Sequence, residues 1–144
     1  MTIVNLALSG ILLFLSLLHV YWLLTGTSGL SAVIPEVDGK PAFVPGRPAT
    51  AAVAVLLLVA SGLCAAQAEL FEMSASPLSR AGVWVLMVVF LLRGLGDFRW
   101  VGVFKRVRGT RFARLDSWVY SPLCLGISLL CGLLLATGTS DPLN

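Results

Sequence analysis

Charge is what this sequence has least of. Seven acidic and ten basic residues make up 12% of its 144 positions, against roughly a quarter in an ordinary soluble domain. With 58% strongly apolar residues, a chain of this size has too little polar surface to clothe a water-soluble fold. The scarcity excludes a disordered tail and a nucleic-acid-binding module, and it points to one membrane domain spanning residues 1–144. Cysteine is also sparse. Cys64, Cys124 and Cys131 form no CxxC or CxxCH pattern and sit inside apolar runs, where they read as small apolar filler. With a single histidine, His19, neither a bis-histidine haem nor a multi-histidine metal site can be assembled within one chain. No metal or cofactor is expected.

Where charge is missing, long apolar runs take its place. The chain is uncharged from Met1 to Pro35, and Ile3 to Leu24 is long enough to cross roughly 30 Å of hydrocarbon as a helix. A cleaved signal peptide is disfavoured by the absence of a basic start and of an A-x-A site. A second span follows Pro48, over about 49–68. The third, about 81–98, contains Arg93 and Asp97. An arginine at mid-membrane costs roughly 2.5–3.5 kcal/mol, which the ten residues from Val83 to Leu92 offset at about 0.3–0.6 kcal/mol for each large apolar side chain. The fourth, about 117–137, comes from the uncharged stretch between Asp116 and Asp141. The expected fold is therefore all-α, a bundle of four transmembrane helices.

Six of the ten basic residues lie between Arg99 and Arg114, and Lys40 and Arg47 lie in the first loop. Those eight belong to one side of a four-span topology and Arg80 to the other. Both termini are expected outside, with the basic loop 99–115 cytoplasmic and against anionic headgroups. The first loop, with Pro35, Pro41 and Pro45, reads as an ordered irregular lid or a flexible flap. In the third, Trp100, Val103, Phe104 and Val107 recur at helical spacing, which predicts an interfacial continuation of the third helix.

The polar residues inside the spans are the candidates for chemistry. Asn5, Ser9, Ser16 and His19 form one stripe on the first helix, suited to interhelical hydrogen bonding, with His19 as its sharpest member. Arg93 and Asp97, one turn apart, are expected to pair, either as an anchor or as a site for an anionic group. Topology brings His19, Tyr21, Trp22, Arg93, Asp97, Asp116 and Tyr120 to one end of the bundle, under the first loop. They are the candidate ligand-binding cluster, with Tyr21 and Trp22 also suited to an aromatic belt. Cys124, Ser128, Gly132 and Ala136 form a small-residue stripe that admits a neighbouring backbone, from this chain or a second protomer.

The segments HVYWLLTG at 19–26, RGLGDFRWVGVFKR at 93–106 and FARLDSWVYSPLC at 112–124 resemble the small four-helix bacterial membrane proteins grouped as DUF3995. The resemblance covers nearly the whole chain. It implies a four-span protein of a bacterial inner membrane and supplies no reaction. Three functions are compatible with these residues. The favoured one is a non-enzymatic accessory subunit, or a binder of a lipid or small polar ligand, within a homo-oligomer or a larger membrane complex. Another is an enzyme acting on a lipid, quinone or isoprenoid, with His19 as acid or base tuned by Asp97 or Asp116. The third is a small dimeric transporter.

Overall fold

The computed structural model describes residues 2–26, 32–37, 40–66 and 77–137. Helix α1 (Thr2–Thr25) leads into a two-residue ribbon, β1 (Glu36–Val37) and β2 (Lys40–Pro41), then α2 (Arg47–Ala66) and α3 (Pro77–Leu95). A short α4 (Arg111–Leu115) runs through one π-helical turn (Asp116–Tyr120) into α5 (Ser121–Thr137). Among the described residues, four helices are long and apolar enough to cross a membrane, the last being the continuous Arg111–Thr137 rod. The protein thus has the all-α, four-span architecture that its composition requires. Residues 67 and 68, the expected end of the second span, lie outside the described residues.

The bundle is built from two helix pairs, α1 with α2 and α3 with α5, joined by lighter contacts of α2 with α3 and of α1 with α5. Leu8 and Leu12 of α1, Leu57 and Cys64 of α2, Phe90 of α3 and Ile127 of α5 belong to one buried cluster. Large apolar side chains such as Phe14, Leu56 and Val85 point outward, as a lipid-facing surface demands. Because lipid is as apolar as leucine, polar contacts and close backbone approach must help define the pairing. Ser9 and Ser61 hydrogen-bond reciprocally to each other's carbonyls at 3.0 and 2.9 Å, and Ser16 donates to the Ala54 carbonyl at 2.8 Å. These contacts fix an antiparallel register and absorb two members of the α1 polar stripe. The α5 small-residue stripe meets α3 of the same chain: Ser128 donates to the Met87 carbonyl at 2.9 Å, and Gly132 faces the Met87 sulfur.

The third loop departs from expectation. Its helical spacing predicts a continued helix, yet α3 stops at Leu95. Gly96 and Gly102 both adopt φ of +89°, and each lies so close to the other's neighbouring backbone that no Cβ would fit. The chain turns back on itself. Val103 and Phe104 donate their N–H groups to the carbonyls of Gly94 and Leu95 at 2.9 and 3.4 Å, satisfying acceptors that a helix end leaves open. The chain re-enters helix at Thr110, whose hydroxyl accepts from the Ala113 N–H at 3.1 Å.

The described part of the first loop is ordered. Its ribbon pairs Glu36 with Pro41 and Val37 with Lys40, the Ala42 N–H closes on the Pro35 carbonyl at 2.8 Å, and Ile34 is buried. This lid sits at the end of the bundle where α1 finishes and α2 begins.

Candidate functional site

Two arrangements occupy this end of the bundle. The first is centred on Asp116, which is 0% exposed. A buried carboxylate persists only when its charge and lone pairs are matched, and here the matching is extensive. Oδ1 accepts from Arg93 Nη2 at 3.0 Å. Oδ2 accepts from the Gly102 N–H at 2.8 Å, from Lys105 Nζ at 3.0 Å and from Ser121 Oγ at 3.2 Å. Lys105, 2% exposed, donates further to the Gly102 carbonyl at 3.0 Å and to Ser117 Oγ at 2.7 Å. The π-helical turn makes part of this possible. Residues five apart share a face only where the helix widens, and Ser121 follows Asp116 by five.

The expected Arg93–Asp97 pair is therefore corrected. One turn of spacing permits that contact, but a fully buried carboxylate on α5's leading segment has the stronger demand for a cation, and Arg93 answers it. Asp97 does something else. Its Oδ1 accepts from the N–H groups of Arg99, Trp100 and Val101 at 2.9, 2.7 and 2.9 Å, gathering the turn after α3. Lys105 is corrected too: it is an internal partner of Asp116 and does not lie at the headgroups with its arginine neighbours. Two cations against one anion leave the cluster with an excess positive charge, and Arg93 Nη1 is buried with no acceptor among the described residues.

The second arrangement is a cavity of about 250 Å³ between the first loop, the end of α1 and the start of α2. Its apolar wall includes Trp22, Leu23, Val33, Ile34, Phe43 and Val53, and its polar side chains are His19, Arg47 and Thr50. His19 Nδ1 lies 2.8 Å from the Leu15 carbonyl, which can only accept, so Nδ1 carries the proton and Nε2 is left as the second ring atom for a ligand. The Trp22 ring meets the imidazole edge-on, with centroids 5.0 Å apart. Arg47 makes no ion pair among the described residues.

The seven sequence candidates thus divide. His19 and Trp22 line the cavity, Arg93 and Asp116 form the ion cluster, and Asp97 shapes the third loop. Tyr21, 58% exposed, faces away from both arrangements as a belt residue would. Tyr120 joins the two: its hydroxyl donates to the Ala32 carbonyl at 3.0 Å, next to the cavity residues Val33 and Ile34, while its chain position closes the π turn that Asp116 opens. Neither Asp97 nor Asp116 contacts His19, so the carboxylate tuning that acid–base chemistry at His19 would use is not formed. Sequence reasoning missed Arg47, Thr50 and Phe43 as cavity residues. Three prolines in that loop were the available sign that it folds back over the helices.

Asp116→Asn removes the anion that holds two cations and should destabilise the bundle by about 3–5 kcal/mol, as breaking buried ion pairs does. Lys105→Met, which leaves Asp116 with Arg93 and two neutral donors, should be milder. Unfolding by SDS titration in mild detergent measures both. At Asp97, slight burial opposes ionisation, but the N–H donors of Val101, Arg99 and Trp100 outweigh it and hold the carboxyl below the usual carboxylate range. A depressed folded value means that the contribution is complete above about pH 4, the unfolded value, and is lost as pH falls through the folded one. Amide-exchange protection at residues 99–101 should therefore persist to below about pH 4 in the wild type and show no such acid transition in Asp97→Asn. A wild-type transition at neutral pH would contradict this.

A family profile described as a protein of unknown function (DUF3995) matches residues 12–131. No curated protein and no solved structure matches the chain. The matched region runs from the middle of α1 into α5 and takes in both arrangements. The protein belongs to the DUF3995 family.

Proposed function

We propose that this protein is a membrane binding protein that holds the head of an anionic single-chain amphiphile in the cavity beneath its first loop. The observation that carries the reading is the cavity's composition: apolar walls around Arg47, which has no ion-pair partner among the described residues, with His19 and Thr50 beside it. A guanidinium next to an apolar surface suits a carboxylate or phosphate monoester attached to a hydrocarbon chain. About 250 Å³ is small for a whole lipid. It suits a head and the first carbons, with the remaining chain leaving toward the bilayer.

The cavity's place at one end of the bundle favours a binder over a through path, since a transporter needs its ionisable residues deep in the span. With both termini outside, the lid and the basic loop face the cytoplasm, the side that seven of the basic residues in the first and third loops, Lys105 excepted, favour by position. The membrane of residence is then a bacterial inner membrane.

Titration of the purified protein with 1-oleoyl lysophosphatidic acid and with neutral monoolein, followed by native mass spectrometry, tests the reading. The anionic ligand should bind more tightly, Arg47→Gln should weaken it by about ten-fold or more, and Val53→Trp should block both by filling the cavity. Equal binding of the two amphiphiles, or binding indifferent to both substitutions, would overturn the proposal.

A further inference from the structure

The third loop carries a second interaction surface, separate from the cavity. Phe98 and Phe104 stack with centroids 5.9 Å apart, yet they are 62% and 55% exposed, with Val103 exposed beside them. A stacked aromatic pair left open at the end of two membrane-spanning helices has the form of an apolar wedge. The same segment and the helix turn that follows it carry Arg99, Arg106, Arg108, Arg111 and Arg114, all exposed and none in an ion pair among the described residues. Arg99 lies 4.6 Å over the Trp100 ring, and its carbonyl accepts from the N–H groups of Arg106 and Val107 at 3.1 and 3.0 Å, which keeps two stretches of the basic segment together.

The two acids that flank this segment in sequence, Asp97 and Asp116, are engaged elsewhere. Asp116 is enclosed with Lys105 and Arg93, and Asp97 binds its own loop's backbone. What the loop presents outward is therefore predominantly positive, with an apolar tip. The tip is also shaped. Phe98 sits at φ of +61°, a conformation unfavourable for a side chain of its size, held between Asp97 and the backbone turn that Asp97 caps.

We infer that residues 98–114 form a preorganised dock for anionic phospholipids, in which Phe98 and Phe104 enter the acyl boundary and the five arginines, but not Lys105, engage headgroup phosphates. The assignment differs from a general attraction of basic loops to membranes because it names which cations take part. The lone lysine of the segment belongs to the fold, and the arginines belong to the lipid.

Native mass spectrometry of the full chain, counting retained phosphatidylglycerol against phosphatidylcholine from equimolar mixed micelles, tests it. The wild type should prefer phosphatidylglycerol, and the preference should fall in 0.5 M salt. Arg99→Gln, Arg106→Gln and Arg108→Gln combined should reduce it by at least about ten-fold, given an effect of roughly five-fold per arginine at a membrane surface. None of the three side chains makes a hydrogen bond or ion pair among the described residues, and an unchanged melting temperature would confirm an intact fold. Val53→Trp, which fills the cavity, should leave the preference as it is. A wild type without preference, a preference indifferent to salt or to the triple substitution, or its loss in Val53→Trp would each overturn the dock.

Discussion

A carboxylate with no exposed surface must be matched by charge and hydrogen bonds, and at Asp116 that requirement organises one end of the molecule. Arg93 reaches it from the last turn of α3, Lys105 and the Gly102 N–H from the third loop, and Ser121 from the start of α5. Donors from α3, the third loop and α5 meet on two oxygens. The loop cannot continue as a helix and also deliver Gly102 and Lys105 to this point, so Gly96 and Gly102 provide the left-handed turns that bring them back. The widened turn that aligns Asp116 with Ser121 ends at Tyr120, whose hydroxyl holds the first loop over the cavity.

The architecture was legible because lipid imposes a simple rule: uncharged runs of about 20 residues become helices. The four spans, the polar stripe of α1 and the small residues of α5 all follow from composition and spacing. Spacing failed where a distant residue made the stronger demand. Arg93 and Asp97 satisfy the one-turn rule, but that rule is local, whereas the burial of Asp116 is decided by packing that no window of sequence displays. Trp100, Val103, Phe104 and Val107 likewise have helical period, and two glycines overrule it. Lys105 looked like one more member of a basic block. Its different role depends on being the compact cation that an enclosed pocket of oxygen atoms accepts, a property visible only once the pocket exists.

Seven residues were expected to converge in one cluster under the first loop. Residues that the topology gathers at one end do not form a single cluster. They separate into an ion network around Asp116 and a cavity under the first loop, with Tyr120 holding Ala32 beside the cavity. The family assignment covers both without naming a ligand, so the chemistry has to be read from the cavity's own residues, with Arg47 foremost.

A double-mutant cycle between Lys105 and Asp116 tests most directly the claim that one buried charge organises this end of the protein. Stabilities are measured for Lys105→Met, for Asp116→Asn and for the two combined. The account predicts a coupling of about 1–3 kcal/mol, the double variant being less destabilised than the sum of the singles because Lys105 loses its buried anion, and Asp116 one of its two cations, when the partner is removed. Additivity within about 0.5 kcal/mol would contradict it.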